Sequence, residues 1–338
     1  MTIVDASFDQ LRRLTDDTGL LEHAMGAVPR RQHGYCLDDV ARGLVVVCRQ
    51  QAPADDLAEL TAHYLAFMAH AQATDGRFHN RLGYDRQWQD LPGLGDWWGR
   101  ALWGLGTAAV RGRDSWIRAA ALACFDTSAH HRPPSVRSMA FAALGAAEVL
   151  TTQPDHHLAM TLLADSASLI AGPRPHTEWY WPEHRLHYAN AVLPEVLIAA
   201  GNALDDKRLL DEGLELLGWL LATETFDGHL SPTPVGGWRI GEPRPAFDQQ
   251  PLEAAAIADA CTRAFQLTGD RRWIDGVRLA VGWFLGDNDA RTPMHDPRTG
   301  GGYDGLEPHG RNENQGAEST LALISTLQHS RQLVREIR

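Results

Sequence analysis

Apolar residues recur every three or four positions along almost the entire chain, and no run alternates polar with apolar as a half-buried strand does. The spacing and the end signals predict twelve helices, over 4–15, 38–51, 55–72, 97–111, 114–126, 135–151, 155–171, 187–202, 206–222, 249–268, 271–286 and 315–335. Two kinds alternate. The even-numbered helices are apolar nearly all round and rich in small residues, as in Leu44-Val-Val-Val-Cys48, Ala101-Leu-Trp-Gly-Leu-Gly106 and Met139-Ala-Phe-Ala-Ala-Leu-Gly145, which is the composition of a buried helix. The others, such as Asp206-Lys-Arg-Leu-Leu-Asp-Glu-Gly and Arg271-Arg-Trp-Ile-Asp-Gly-Val-Arg, pair a charged face with an apolar stripe and belong outside them.

The connections sort in the same way. Each buried helix passes to the next outer one through a short polar link such as Arg111-Gly-Arg-Asp or Thr268-Gly-Asp270, and each outer helix returns through a longer loop rich in Trp, Tyr, Gly, Pro or carboxylates. Six inner helices inside six outer ones, with the long loops at one end, describe an all-α (α/α)6 barrel. It is read as a single domain over 1–338, a closed toroid of helical hairpins rather than an open solenoid. No linker or low-complexity segment divides it. In such a toroid the inner N-termini open onto one rim, where free N–H groups and partial positive charge face a central depression suited to oxygen-rich molecules.

The rim loops hold the candidate chemistry. The first reads Tyr35-Cys36-Leu-Asp38-Asp39-Val-Ala-Arg42: one aspartate is expected to cap the helix or pair with Arg42 while its neighbour points into the funnel. The second, from Tyr84 to Arg100, carries Asp85, Asp90 and Asp96 among Trp88, Trp97 and Trp98, a density of acids and flat rings that suits a sugar, although Asp96 is also placed to cap the next helix. The third, His130-His131-Arg132-Pro-Pro-Ser135, has no acid, and its histidine pair has no partner at metal spacing, so no metal is expected. The fourth, Thr177-Glu178-Trp179-Tyr180-Trp181-Pro182-Glu183-His184 to Asn190, is the most aromatic. A carboxylic acid among Trp and Tyr is poorly solvated and stays protonated near neutrality, which makes Glu183 the candidate general acid. The fifth ends Phe247-Asp248-Gln249-Gln250-Pro251-Leu-Glu253, with proline in a first turn, Asp248 or Gln249 as the expected cap, and Glu253 either paired or facing the cavity. The sixth is a glycine-rich run from His295 through Glu313, Gln315 and Glu318 into the apolar stretch Leu321-Ala-Leu-Ile324; Glu313 or Glu318 is expected to share a pocket with Asp38 and Asp39.

Composition narrows the partner. A formal net charge of -12 speaks against nucleic acid or an anionic membrane surface. Cys36, Cys48, Cys124 and Cys261 show no CxxC spacing and are read as free thiols in a reducing compartment. The segment Met1-Thr-Ile-Val-Asp lacks a basic and an apolar signal region, and nothing approaches the roughly 18 apolar residues of a membrane span, so a cytoplasmic location is expected. Eleven Trp, many in polar loops, add surfaces for stacking on a sugar ring.

The ordered motifs Gly34-Tyr-Cys-x-Asp38-Asp39-x-Ala-Arg42, Tyr84-Asp-Arg-Gln-Trp88, Gly99-Arg-Ala-Leu-Trp103, Phe247-Asp-Gln-Gln-Pro-x-Glu-Ala-Ala255 and Asn312-Glu-Asn-Gln-Gly-Ala-Glu-Ser-Thr320 resemble a family of bacterial (α/α)6-barrel proteins. Its members are encoded in carbohydrate-processing gene clusters, often beside mannoside phosphorylases, and are loosely labelled glycosyltransferases. The fold is also similar to that of six-hairpin glycosidases and of the N-acylglucosamine 2-epimerase group. The resemblance implies a carbohydrate substrate, with mannose as the sugar of the family's context.

The leading expectation is a cofactor-free glycoside hydrolase with Glu183 as acid and Asp38 or Asp248 as base, inverting by analogy with barrels of this shape. Tyr35, Asp39, Arg42, Asp85, Asp96, Arg100, Asn190, Gln249, Glu253, Glu313, Gln315 and Glu318 are expected to line the substrate site, with Trp88, Trp98, Trp181 and Trp238 stacking on it. A sugar epimerase working through loop histidines such as His184, His187, His229 and His309, and a non-catalytic glycan-binding protein, are the alternatives. Neither the linkage nor the oligomeric state is legible.

Overall fold

The computed structural model describes residues 4–50, 55–172 and 179–337. Its inner helices are α2 (Leu37–Arg49), α4 (Asp96–Arg111), α6 (Val136–Leu150), α8 (Val192–Ala203), α10 (Pro251–Thr268) and α12 (Ala317–Ile337). Outside them stand α1 (Asp9–Leu14), α3 (Asp55–Ala71), α5 (Ser115–Ser128), α7 (His157–Ile170), α9 (Lys207–Thr223) and α11 (Arg272–Leu285). Each inner helix packs on the next in chain order, and α12 returns to pack on α2, so the ring closes as an (α/α)6 barrel. All twelve predicted helices occur. The first is shorter than expected, because 4–8 is not helical, and α8 begins at Val192 rather than 187.

The ring closes tightly because small residues meet where inner helices touch. A β-carbon on Gly99 would collide with the Ser138 carbonyl oxygen, and Gly106 and Gly145 lie against each other's helix backbones, so only glycine permits this approach of α4 and α6. Local signals set the ends: Ser135 caps α6, Asp206 caps α9 by accepting from the N–H groups of Arg208 and Leu209, and α10 stops at Gly269 with φ +67°.

The sequence shows no strands, yet short antiparallel pairs lace the rim. They are β1 (Ala24–Met25) with β2 (Val28–Pro29), β3 (Tyr35–Cys36) with β4 (Arg81–Leu82), β5 (Thr225–Phe226) with β6 (His229–Leu230), β7 (His295–Asp296) with β8 (Gly301–Gly302), and β9 (Gly305–Glu307) with β10 (Gly310–Asn312). Two or three residues are too few to display an alternating pattern. Their role is to satisfy loop backbone groups buried over the barrel mouth. The β3–β4 pair joins the first two rim loops, Leu186 pairs with Trp238 to join the fourth and fifth, and Gln249 with Leu306 the fifth and sixth. The sixth returns to the first through Ala317 N–H to the Glu22 carbonyl at 2.9 Å and Gln315 N–H to the Gly26 carbonyl at 2.9 Å. The link 51–54 and, in the fourth loop, Thr177 and Glu178 lie outside the described residues.

Candidate active site

The rim constellation begins on α2, whose N-cap residue is Cys36, so Asp38 and Asp39 fall within the first turn and neither caps. Nor do the two aspartates diverge as expected. Positions i+4 and i+3 from them coincide at Arg42, whose Nη2 lies 3.0 Å from Asp38 Oδ2 and whose Nη1 lies 2.8 Å from Asp39 Oδ1. Arg42 Nη2 also meets Glu318 Oε2 at 2.8 Å, from the first turn of α12. Glu318 therefore joins Asp38 and Asp39 where the ring closes, as predicted.

From α4, Arg100 donates to the same Asp38 Oδ2, while its guanidinium stands 4.3 Å from the Phe141 ring centroid and 5.8 Å from that of Tyr188. Arg137 of α6 lies 5.9 Å from the Tyr188 ring and donates through Nη2 to Glu183 Oε2 at 2.8 Å. Guanidinium groups thus run from the α12–α2 sector across the mouth to the loop that carries Glu183. In the closed six-helix ring, α6 lies opposite α12.

The two proposed catalytic carboxylates are held alike. On Asp38 both arginines converge on Oδ2, and the buried Oδ1 has no partner. On Glu183 the donors Arg137 and Trp181 Nε1, at 3.3 Å, converge on Oε2, and Oε1 takes no hydrogen bond from the described residues. Each carboxylate is pinned through one oxygen only.

Charge separates the neighbouring aspartates. Burial alone would push the Asp38 carboxyl up, but Arg100 and Arg42 outweigh it and hold it below the usual carboxylate range. Burial, together with the charges of Asp38 and Glu318, pushes Asp39 well above that range despite Arg42. Deeper in the fourth and fifth loops, Glu253 accepts from the Ala189 N–H and, at 3.2 Å, the Asn190 N–H. Burial and then the adjacent Glu224 push it up to about 8. Glu224 is raised as well, mainly by burial, so the pair retains a proton. Asn190 Oδ1 accepts from His187 N–H at 3.1 Å and is within 3.4 Å of Arg137 Nη2, which ties this buried group to the rim.

The remaining predicted residues have other places. Asp248 is exposed, and the N-cap of α10 is Gln250, ahead of Pro251. Gln249 is fully buried and accepts from Trp283 Nε1 at 2.7 Å. Asp96 opens α4 and accepts from Ser138 Oγ at 2.7 Å, bracing α4 on α6 rather than capping its own helix. Tyr35 is buried, with its hydroxyl on Asp16 at 2.8 Å. Asp85 is exposed and serves a turn at Gln87. Glu313 is exposed and pairs with Arg311 at 3.1 Å, while Gln315 is buried between Thr299 and Asp296.

The aromatic expectation is corrected in the same way. Trp98 and Trp181 are completely buried, Trp88 stacks on His79 at 4.7 Å, and Trp238 stands edge-on to Trp179 at 5.7 Å. These rings build the rim's own core, because a large apolar face is stabilised most by full burial against another ring. Glu183 likewise has Arg137 beside it instead of a purely apolar setting, since a buried arginine on an inner helix needs a counter-charge. Among the loop histidines, His184, His187 and His309 are exposed, and His229 pairs with Asp289 at 3.2 Å.

Arg137, Tyr188, Glu224, Glu22 and Arg81 escaped the sequence reading. Arg137 alone had a signal: like Arg42 and Arg100, it is a charge inside an otherwise apolar inner helix. Glu22, Cys36 and Asp39 bring ligand atoms within 4.8 Å of one another, the spacing of a metal site. Arg81 already holds Glu22 and Arg42 already holds Asp39, so guanidinium groups take the place of a cation. Beneath the constellation, between the inner helices, an axial cavity of about 60 Å³ reaches from Arg42, Arg100 and Glu318 down to Glu195 and Asp259. No helix among the described residues is long and apolar enough to cross a membrane, and all four cysteines are free.

No protein-family model matches the chain, and no curated protein sequence does. Solved structures do. A sugar epimerase from a ruminal bacterium superposes with a TM-score of 0.74 at 11% identity, covering 96% of this chain and 95% of that one. The cellobiose 2-epimerase of Bacillus thermoamylovorans gives 0.71 at 9% identity, covering 96% of each chain. A GH76 α-mannanase of Bacteroides thetaiotaomicron gives 0.64 at 10% identity, over 96% of this chain and 93% of the other. At these identities the likeness is one of fold.

Proposed function

We propose that the chain is a carbohydrate-active enzyme that hydrolyses a glycosidic bond at the N-terminal rim, with Asp38 as the ionised carboxylate that activates water and Glu183 as the proton donor to the leaving oxygen. The observation that carries this reading is the parallel mounting of the two groups. Each is anchored through one oxygen by guanidinium or indole donors, and each leaves the second oxygen unpartnered. Arg42, Arg100 and Glu318 would hold sugar hydroxyls, with the Tyr188 ring between the two arms. Carbohydrate is the substrate class because the similar folds act on sugars and the rim offers alternating donors and acceptors.

The epimerase reading needs two proton-transferring groups beside a free sugar carbonyl; of the histidines named for it, His184, His187 and His309 are exposed and His229 pairs with Asp289. Reducing-end-blocked manno- and gluco-oligosaccharides, α- and β-linked, separate the two. Cleavage of a blocked substrate is expected, with Glu183→Gln losing roughly 10²–10⁴-fold on ordinary glycosides. The same variant should stay close to wild type on 2,4-dinitrophenyl glycosides, whose leaving group needs no acid. Conversion of free sugars with blocked ones untouched would refute the proposal.

A further inference from the structure

The C-terminal ends of the inner helices, opposite the rim, enclose a cavity of about 610 Å³, within the roughly 300–1,000 Å³ typical of small-ligand sites. Its wall is crossed by arginine–carboxylate pairs. Arg49 donates to Asp259, Arg263 Nε lies 3.0 Å from Glu195 Oε1, and Arg111 Nε lies 2.9 Å from Glu148 Oε2. These pairs satisfy the guanidinium groups and leave a particular kind of atom unpartnered. Glu195 Oε2 on α8, Thr262 Oγ1 on α10, and Gln328 Oε1 and His329 Nδ1 on α12 are buried and make no hydrogen bond among the described residues. His329 Nε2 is held by Asp259 Oδ1, so Nδ1 is the ring nitrogen without a partner.

We infer that this cavity is a second binding site, for a neutral polyhydroxylated molecule of monosaccharide size. Three inner helices bring to one cavity the vacant oxygens of Glu195, Thr262 and Gln328, each able to accept a hydrogen bond, and a sugar supplies several hydroxyls on one small frame. An anion is disfavoured, because Arg49, Arg111, Arg263 and Arg331 already hold carboxylates and the vacant oxygens would repel it. Asn202, exposed on the last turn of α8, stands at the cavity's edge. The inference is independent of the chemistry assigned to the rim.

The test uses the whole protein with D-glucose and D-mannose as probes and inorganic phosphate as the comparator, in isothermal titration at neutral pH. In an Asp38→Asn/Glu183→Gln double variant that disables the rim, hexose binding should persist and should disappear when Asn202→Trp is added to plug the mouth. Thr262→Val, which deletes a hydroxyl with no partner in the fold, should weaken hexose binding roughly three- to ten-fold without moving the unfolding midpoint. Hydrogen exchange in the wild-type protein gives a readout that needs no variant: hexose should slow exchange over 196–203 and 325–332. Hexose binding untouched by Asn202→Trp and by Thr262→Val, phosphate bound in preference to hexose, or no protection of those segments would overturn the inference.

Discussion

The two mouths of the barrel are built from the same kinds of residue and differ in what covers them. At the N-terminal rim the loops 15–36, 72–95, 179–191, 224–250 and 286–316 fold over the opening, and the space left beneath is about 60 Å³. At the other end the connections from inner to outer helices are short, as over 112–114 and 204–206, and the opening stays at about 610 Å³. Both ends carry arginine–carboxylate networks: Arg42, Arg100 and Arg137 above, Arg49, Arg111 and Arg263 below. Loop length therefore marks where side chains are aimed, while open volume marks where little chain exists to fill the barrel. Chemistry and space need not coincide, and in this molecule they divide between the two ends.

The largest effect that can break this comparison is on turnover. Asp38→Asn should lower the rate of glycoside cleavage by roughly 10²–10⁴-fold. Its counterpart Asp259→Asn should leave turnover near wild type while destabilising the fold by about 3–5 kcal/mol, because Arg49 and His329 then lose their buried partner. Steady-state rates and urea unfolding of both variants check the pair. A folded Asp259→Asn protein without turnover would move the chemistry to the wrong mouth.

The pH dependence of stability is intermediate in size and has a separate limb for each pKa direction. Glu195 below is pushed by burial, and by the neighbouring Asp259, up to about 7, and Glu253 near the rim up to about 8. Both folded values exceed the ordinary carboxylate value near 4.5. Their contribution is therefore complete below about pH 4.5 and is lost as pH rises through about 7 and then 8, a change on the order of 1–3 kcal/mol for each. Glu195→Gln should flatten the lower step and Glu253→Gln the upper one in urea titrations from pH 5 to 9. Asp38 and Asp259 are instead depressed by their arginines, so what they contribute is present above the ordinary aspartate range and disappears as pH falls below it. A single step shared by both glutamine variants would mean that the two ends titrate as one network.

The smallest effect is a control within the rim. Arg86 and Asp17 pair at 2.8 Å, but both are largely exposed, with side-chain exposures of 61% and 77%. Arg86→Ala should leave both the thermal midpoint and turnover unmoved, in contrast to Asp38→Asn, because water and salt screen an exposed pair. A measurable loss would show that the outer rim belongs to the working site.

Local and periodic information was enough for the architecture. The 3.6-residue period and the alternation of all-apolar with amphipathic helices specify six hairpins, and the small residues of the inner helices permit the close approach that shuts the ring. Because i+3 and i+4 positions share a helix face, the meeting of Asp38, Asp39 and Arg42 also follows from chain order alone. What no local pattern contains is which charge faces which across the ring. Arg100 reaches Asp38, Arg137 reaches Glu183 and Arg42 reaches Glu318 only because closure brings the inner helices and the fourth loop together. The same closure sends Trp179 and Trp181 inward, where they are buried against Trp238 and Trp219 rather than offered to a ligand. It also leaves the cavity at the far mouth, since volume depends on how helices diverge and on how little chain links them there, and neither quantity is written in any one segment.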